Sequence, residues 1–150
     1  MRSTRRLAGG WCGPGTGSPP GTTSEGLHRL RRRYTVVALS NGGFALLVRL
    51  IKAARLDFDA ILSAENARTY KPDPPVYRMA AELLDVAPGQ VLMVAAHRWD
   101  LEGARSAGLR TAFVERPAEK GPHGVADRAA DTVSDVATTS LVDLAEVLGC

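Results

Sequence analysis

Cysteine, aromatic residues and long apolar runs are all scarce in this 150-residue chain. The two cysteines, Cys12 and Cys150, lie near opposite ends, which leaves a disulfide framework or a zinc site without support. No stretch reaches the roughly 18 consecutive apolar residues that a membrane-spanning helix needs. Arg2, Arg5 and Arg6 are not followed by an apolar segment of about 7–15 residues, so a secretion signal is not expected either. The chain is therefore expected to be cytoplasmic, with no membrane partner. Acidic residues are almost missing from its first 33 positions, where seven arginines face Glu25 alone, for a charge of +6 against +3 overall. The basic run Arg29 to Arg33 lacks interleaved aromatics and any nucleic-acid reading motif, so a solvated helix end is expected rather than a nucleic-acid partner.

What is present divides the chain in two. Residues 1–26 hold seven of the fifteen glycines and three of the nine prolines but only five hydrophobic residues. Such a segment buries too little apolar surface to offset its ordering entropy, so residues 1–25 are expected to be a disordered or irregular head. Its glycines do not form a phosphate loop: Thr16 follows Gly15 where that loop needs lysine, and no apolar strand is expected before Gly13.

Residues 26–150 alternate short apolar runs with helical periodicity. Strands are expected at Tyr34–Leu39, Ala60–Leu62, Val91–Ala95, Thr111–Val114 and Thr132–Val136. Helices are expected near Leu27–Arg33, over Phe44–Arg55, from Pro74 to Leu84, over Trp99–Ala107 and at Leu141–Leu148, with Pro74 and Pro75 suited to a first turn and Gly108 to a stop. Residues 115–130 read as loop. Strands that are apolar throughout and alternate with helices predict an α/β, Rossmann-like parallel sheet covered on both faces. In such sheets the chemistry gathers beyond the C-terminal ends of the strands. Those ends carry Ser40-Asn41, Ser63-Ala64-Glu65 and His97-Arg98-Trp99-Asp100.

Three motifs stand in order: Leu39-Ser40-Asn41-Gly42 after a strand, Tyr70-Lys71-Pro72-Asp73-Pro74 before a helix, and Val94-Ala95-Ala96-His97-Arg98-Trp99-Asp100 after another strand. Singly each has a plain structural account as a turn, a solvated lysine or a helix cap. Together they resemble the haloacid dehalogenase superfamily of hydrolases. The wording Phe58-Asp59-Ala60-Ile61-Leu62-Ser63-Ala64-Glu65 with Tyr70-Lys71-Pro72-Asp73-Pro74 is similar to the type II 2-haloacid dehalogenase branch, and the resemblance covers about residues 26–150. It implies that Ser40 hydrogen-bonds the nucleophile or the substrate carboxylate, and that Asn41 helps hold the departing halide. Lys71 is implied as a fixed cation that stabilises displacement. Asp100 is implied to hold that lysine and to position the water that hydrolyses an ester intermediate. Tyr77, His97 and Trp99 are implied as residues of the substrate pocket, with packing on a helix face and in the core left open for Tyr77 and Trp99.

Two departures matter. Ala95 and Ala96 stand where phosphatases of the superfamily carry an extra acid, so no magnesium site is expected and the metal-independent branch is favoured. The superfamily's nucleophile is an aspartate at the end of its first strand, and nothing before Ser40 matches it; Asp57 and Asp59 precede a strand and would lie at the wrong sheet edge. A partial core is thus expected, lacking the first strand and the helical cap. The expected function is hydrolysis of the carbon–halogen bond of a short 2-halo acid in a longer or complemented protein, with this chain alone truncated and inactive. A non-catalytic anion-binding or interaction remnant, or a phosphatase using magnesium, is the alternative. With the central strand missing, its neighbours must pair directly, leave a gap, or borrow a strand from the head or another chain. Marginal stability and homo-oligomers through exposed strand edges are expected from that gap.

Overall fold

The computed structural model describes residues 6–10, 20–117 and 124–150. Six parallel strands form one sheet: β1 (Arg6–Gly10), β2 (Thr35–Ser40), β3 (Ala60–Ser63), β4 (Val91–Ala95), β5 (Arg110–Val114) and β6 (Val136–Thr138), in the order β3-β2-β1-β4-β5-β6. The helices are α1 (Pro20–Arg31), α2 (Phe44–Ala53), α3 (Ala64–Ala67), α4 (Pro74–Leu83), α5 (Arg98–Ser106) and α6 (Leu141–Val147). The α/β, Rossmann-like sheet expected from the apolar strands is what forms. None of the helices among the described residues is long and apolar enough to cross a membrane.

The expectation that the sheet lacks its first strand is corrected. The head itself supplies it: Arg6–Gly10 lies between β2 and β4, with Ala8 opposite Val37 on one side and Met93 on the other. A strand thus does precede the glycine-rich stretch, and the filled slot removes the gap from which association was expected. The open edges are instead β3 and β6, of four and three residues, short enough to make poor templates for pairing. Within the expected irregular head, residues 6–10 are strand and 20–25 belong to α1, while 1–5 and 11–19 lie outside the described residues. Between β1 and β2 the described residues contain α1 and no cap. The last strand falls at Val136–Thr138 instead of Thr132–Val136, because residues 129–131 take up a 3-10 turn and Asp135 pairs with Thr111 ahead of the ladder.

Pleating divides the core. Val37 and Leu39 of β2, Val91, Met93 and Ala95 of β4 and Phe113 of β5 face one side, with Val76, Tyr77, Ala80, Leu101 and Ala104 of α4 and α5. Val36, Val94, Ala112 and Val114 face the other, under Leu27 and Leu30 of α1 and Leu144 of α6. Both faces are covered, which is why these strands carry almost no polar side chains. Gly26 makes the α1–α6 crossing possible, since a Cβ there would stand 2.5 Å from Leu141 Cβ.

The basic end of α1 is used within the chain. Arg29 donates to the carbonyl of Cys150 at 2.8 Å, Arg31 pairs with Asp59 at 2.9 Å and Arg33 donates to the carbonyl of Gly149. Asp59 in turn accepts the Val36 amide at 2.7 Å, which puts it at the N-terminal edge of the sheet, opposite Ser40.

Candidate functional site

The C-terminal edge of the sheet gathers the polar residues. β2 ends in Ser40, whose Oγ accepts the Gly42 amide at 3.1 Å and tightens the turn into α2. The next residue, Asn41, reaches across to a separate segment. Its Oδ1 accepts the Lys71 backbone amide at 2.7 Å, and its Nδ2 donates to the Lys71 carbonyl at 3.1 Å. This side-chain amide imitates a strand neighbour and sets where Lys71 leaves the backbone.

Lys71 is 6% exposed and Asp100 1%. Lys71 Nζ lies 2.5 Å from Asp100 Oδ2, and Tyr77 donates its hydroxyl to Asp100 Oδ1 at 2.7 Å. Each carboxylate oxygen therefore has a donor, the condition under which a buried charge is tolerated. Tyr77 is fully buried. Burial first, then the Asp100 charge and hydrogen bond and the Asp73 charge, push its hydroxyl above the ordinary tyrosine range. Tyr77 thus stays protonated and serves as a donor behind the lysine, while its ring packs in the core cluster. The three residues arrive from the loop before α4, from α4 and from the first turn of α5.

His97 and Trp99 form the outer wall. Their rings stack at 5.8 Å with 12° between planes, and Lys71 Nζ stands 5.8 Å from the Trp99 ring centre. That distance is at the outer limit of a cation–π contact. Trp99 is 40% exposed, which favours the site wall over the core for this residue. Ala95 and Ala96 adjoin the site and offer no oxygen ligand beyond the backbone. Among the described residues no group of three or more His, Cys, Asp or Glu could hold a metal ion.

Two residues, Gly103 and Asp127, went unnoticed in the sequence, and two more, Ser63 and Glu65, were named at a strand tip but given no role. Gly103 lies three residues beyond Asp100, and a Cβ there would stand 2.7 Å from both the Pro72 carbonyl and the Tyr77 hydroxyl. Only a residue without a side chain lets α5 approach the lysine segment so closely. Ser63, fully buried, donates to the Gly42 carbonyl at 2.8 Å and accepts from the Glu65 amide, which holds the end of β3 against the Ser40 turn. Glu65 accepts the Phe44 amide at 2.9 Å and so caps α2 from outside. Asp127, from the segment between β5 and β6, accepts the Arg98 amide at 2.9 Å. Ser63 and Glu65 had a visible signal in their place at a strand tip; Asp127 had none.

A family model of haloacid dehalogenase-like hydrolases matches residues 17–108. An (S)-2-haloacid dehalogenase 4A from Burkholderia cepacia is 40% identical over 96 residues, which are 62% of this chain and 42% of that protein. The (S)-2-haloacid dehalogenase 1 of Pseudomonas sp. strain CBS-3 is 36% identical over 85 residues, 55% of this chain and 37% of that one. The crystal structure of a defluorinating L-2-haloacid dehalogenase superposes with a TM-score of 0.79 at 41% identity, over 85% of this chain and 52% of that one. The chain spans about half the length of these relatives or less.

Proposed function

The chain belongs to the haloacid dehalogenase-like hydrolases, and from that membership we propose that its site serves the metal-independent hydrolysis of short 2-halo acids. The observation that carries this is the buried Lys71–Asp100–Tyr77 cluster at the C-terminal ends of β2 and β4. Lys71 is the cation that draws a carboxylate or a departing halide, and Asp100 and Tyr77 keep its ammonium in place so that little reorganisation accompanies displacement. The His97–Trp99 wall gives the halogen-bearing carbon an aromatic surface, and Ser40 Oγ supplies a polar contact at the strand end. Ala95 and Ala96 support chemistry without magnesium.

In the proposed reaction a carboxylate oxygen bonds to C2 of the substrate as the carbon–halogen bond breaks and the halide leaves with its electron pair. Water then adds to the ester carbonyl; the 2-hydroxy acid departs and the carboxylate returns, so that water enters and hydrogen halide leaves overall. Residues 1–24 contain no aspartate or glutamate, and β1 ends in Gly9-Gly10. Asp100 is committed to Lys71 and Tyr77. On this reading the chain by itself carries the stabilisers of displacement without a carboxylate placed to attack, and serves as an anion-binding half-site until a nucleophile is supplied.

The test is chloride release from 2-chloropropionate. The purified chain is expected to release none above background. A chimera carrying an aspartate-bearing first strand and cap ahead of α1 is expected to turn over. In that chimera Lys71→Ala and Asp100→Ala, scored on protein shown to be folded by circular dichroism, abolish turnover, and Tyr77→Phe weakens it less. Steady chloride release from the unaltered chain, indifferent to both substitutions, refutes the assignment.

A further inference from the structure

Asp127 lies outside every motif that pointed to the site, yet its carboxylate reaches the site's outer wall. Its Oδ2 accepts the Arg98 amide at 2.9 Å and stands 3.9 Å from His97 Nδ1. His97 is the residue before α5, and its own side chain does not cap the helix. One oxygen of Asp127 therefore meets both the first amide of α5 and the imidazole that stacks on Trp99. Trp99 in turn faces Lys71 Nζ. The chain of contacts runs from the β5–β6 segment through His97 and Trp99 to the lysine.

We infer that Asp127 is a positioning residue that holds the β4–α5 turn and the His97 imidazole so that the His97–Trp99 pair stands over Lys71 as one wall of the anion site. The physical reason is local: His97 lies in extended backbone with φ −117° and ψ 127° just ahead of α5, where its imidazole and the first helix amide both adjoin Asp127. The Asp127 carboxylate is fixed by its hydrogen bond to the helix amide and stands 3.9 Å from Nδ1, so it places an acceptor and a negative charge beside the ring. The Asp127 charge also lies at the amide end of α5, where a negative group is favoured. The role as site wall rests on the anion-site function proposed above; the orientation of the ring does not.

The experiment compares NMR signals of the His97 imidazole and the Trp99 indole in the unaltered chain, Asp127→Ala and Asp127→Asn, with His97 assigned by His97→Gln. In the unaltered chain the stacked rings shift each other's protons upfield. Asp127→Ala is expected to lose that ring-current shift with the melting temperature little changed. Asp127→Asn, which keeps an acceptor oxygen for the Arg98 amide, is expected to retain most of it. Affinity for 2-chloropropionate, read by titration on the same signals, is expected to fall about tenfold in Asp127→Ala, about 1.4 kcal/mol. If Asp127→Ala does not fold, Arg98→Pro answers the same question. Proline is suited to a first helical position, the extended conformation of His97 accommodates it, and apart from the exposed Arg98–Glu102 pair it deletes only the amide that Asp127 holds. Rings still stacked in a folded Asp127→Ala or Arg98→Pro overturn the inference. An unaltered chain with stacked rings and no affinity for 2-chloropropionate refutes the anion site, and with it the role of the wall, while Asp127→Ala still decides what orients His97.

Discussion

Asp100→Ala leaves a buried ammonium and a buried phenol hydroxyl with no acceptor between them. Asp100, Lys71 and Tyr77 are 1%, 6% and 0% exposed, so bulk solvent does not reach the two donors once the carboxylate is gone. Removing one partner of a buried pair costs about 3–5 kcal/mol. The lost hydrogen bond from Tyr77 belongs to the charge-assisted kind, worth roughly 1.5–3 kcal/mol, and does not add in full because both donors relax together. A loss of about 4 kcal/mol is expected, which for a chain of this size lowers the melting temperature by roughly 8–16 °C. Urea unfolding at neutral pH followed by circular dichroism measures it. Asp100→Asn is expected to fall between, since Lys71 and Tyr77 donate to different carboxylate oxygens and one of these becomes an NH2 that cannot accept. The double substitution Lys71→Met with Asp100→Leu is expected to cost less than the sum of its parts, because no charge is left alone. Asp100→Ala within about 0.5 kcal/mol of the unaltered chain, the range of an ordinary surface change, would refute the reasoning.

Tyr77 predicts a loss of stability in alkali. Its hydroxyl is held above the ordinary value of 10, so above pH 10 the unfolded chain releases a proton that the folded chain keeps. The unfolding free energy is then expected to fall by about 1.4 kcal/mol per pH unit more than in Tyr77→Phe, with no such difference below pH 9. Parallel pH profiles for the two proteins up to pH 11 would remove the buried donor from the account. Gly103→Ala is expected to destabilise by about 1–3 kcal/mol through overpacking against Pro72 and Tyr77. It should also disturb the Tyr77–Asp100 contact, read as a changed tyrosine absorbance at alkaline pH; a neutral effect on both would show that α5 can retreat freely.

The order of strands and helices after residue 26, and the polar residues at the strand tips, were legible because their signals are local. An apolar run such as Val91 to Ala95, or a helix opened by Pro74 and Pro75, declares itself within a few neighbours. Lys71 and Asp100 were implied by the resemblance that three motifs carry, and they stand in contact. The central strand was illegible. Arg-Leu-Ala-Gly-Gly has little strand preference of its own, and it is a strand because β2 and β4 offer it hydrogen bonds along both edges. Likewise Tyr77 turns to Asp100 across 23 residues, Asn41 clasps the Lys71 backbone across 30, and Asp127 reaches Arg98 across 29. Such contacts form only after the sheet has brought distant segments together. Composition and periodicity therefore determined which elements exist, whereas packing around a shared edge decided which polar groups meet and which unpromising segment completes the sheet.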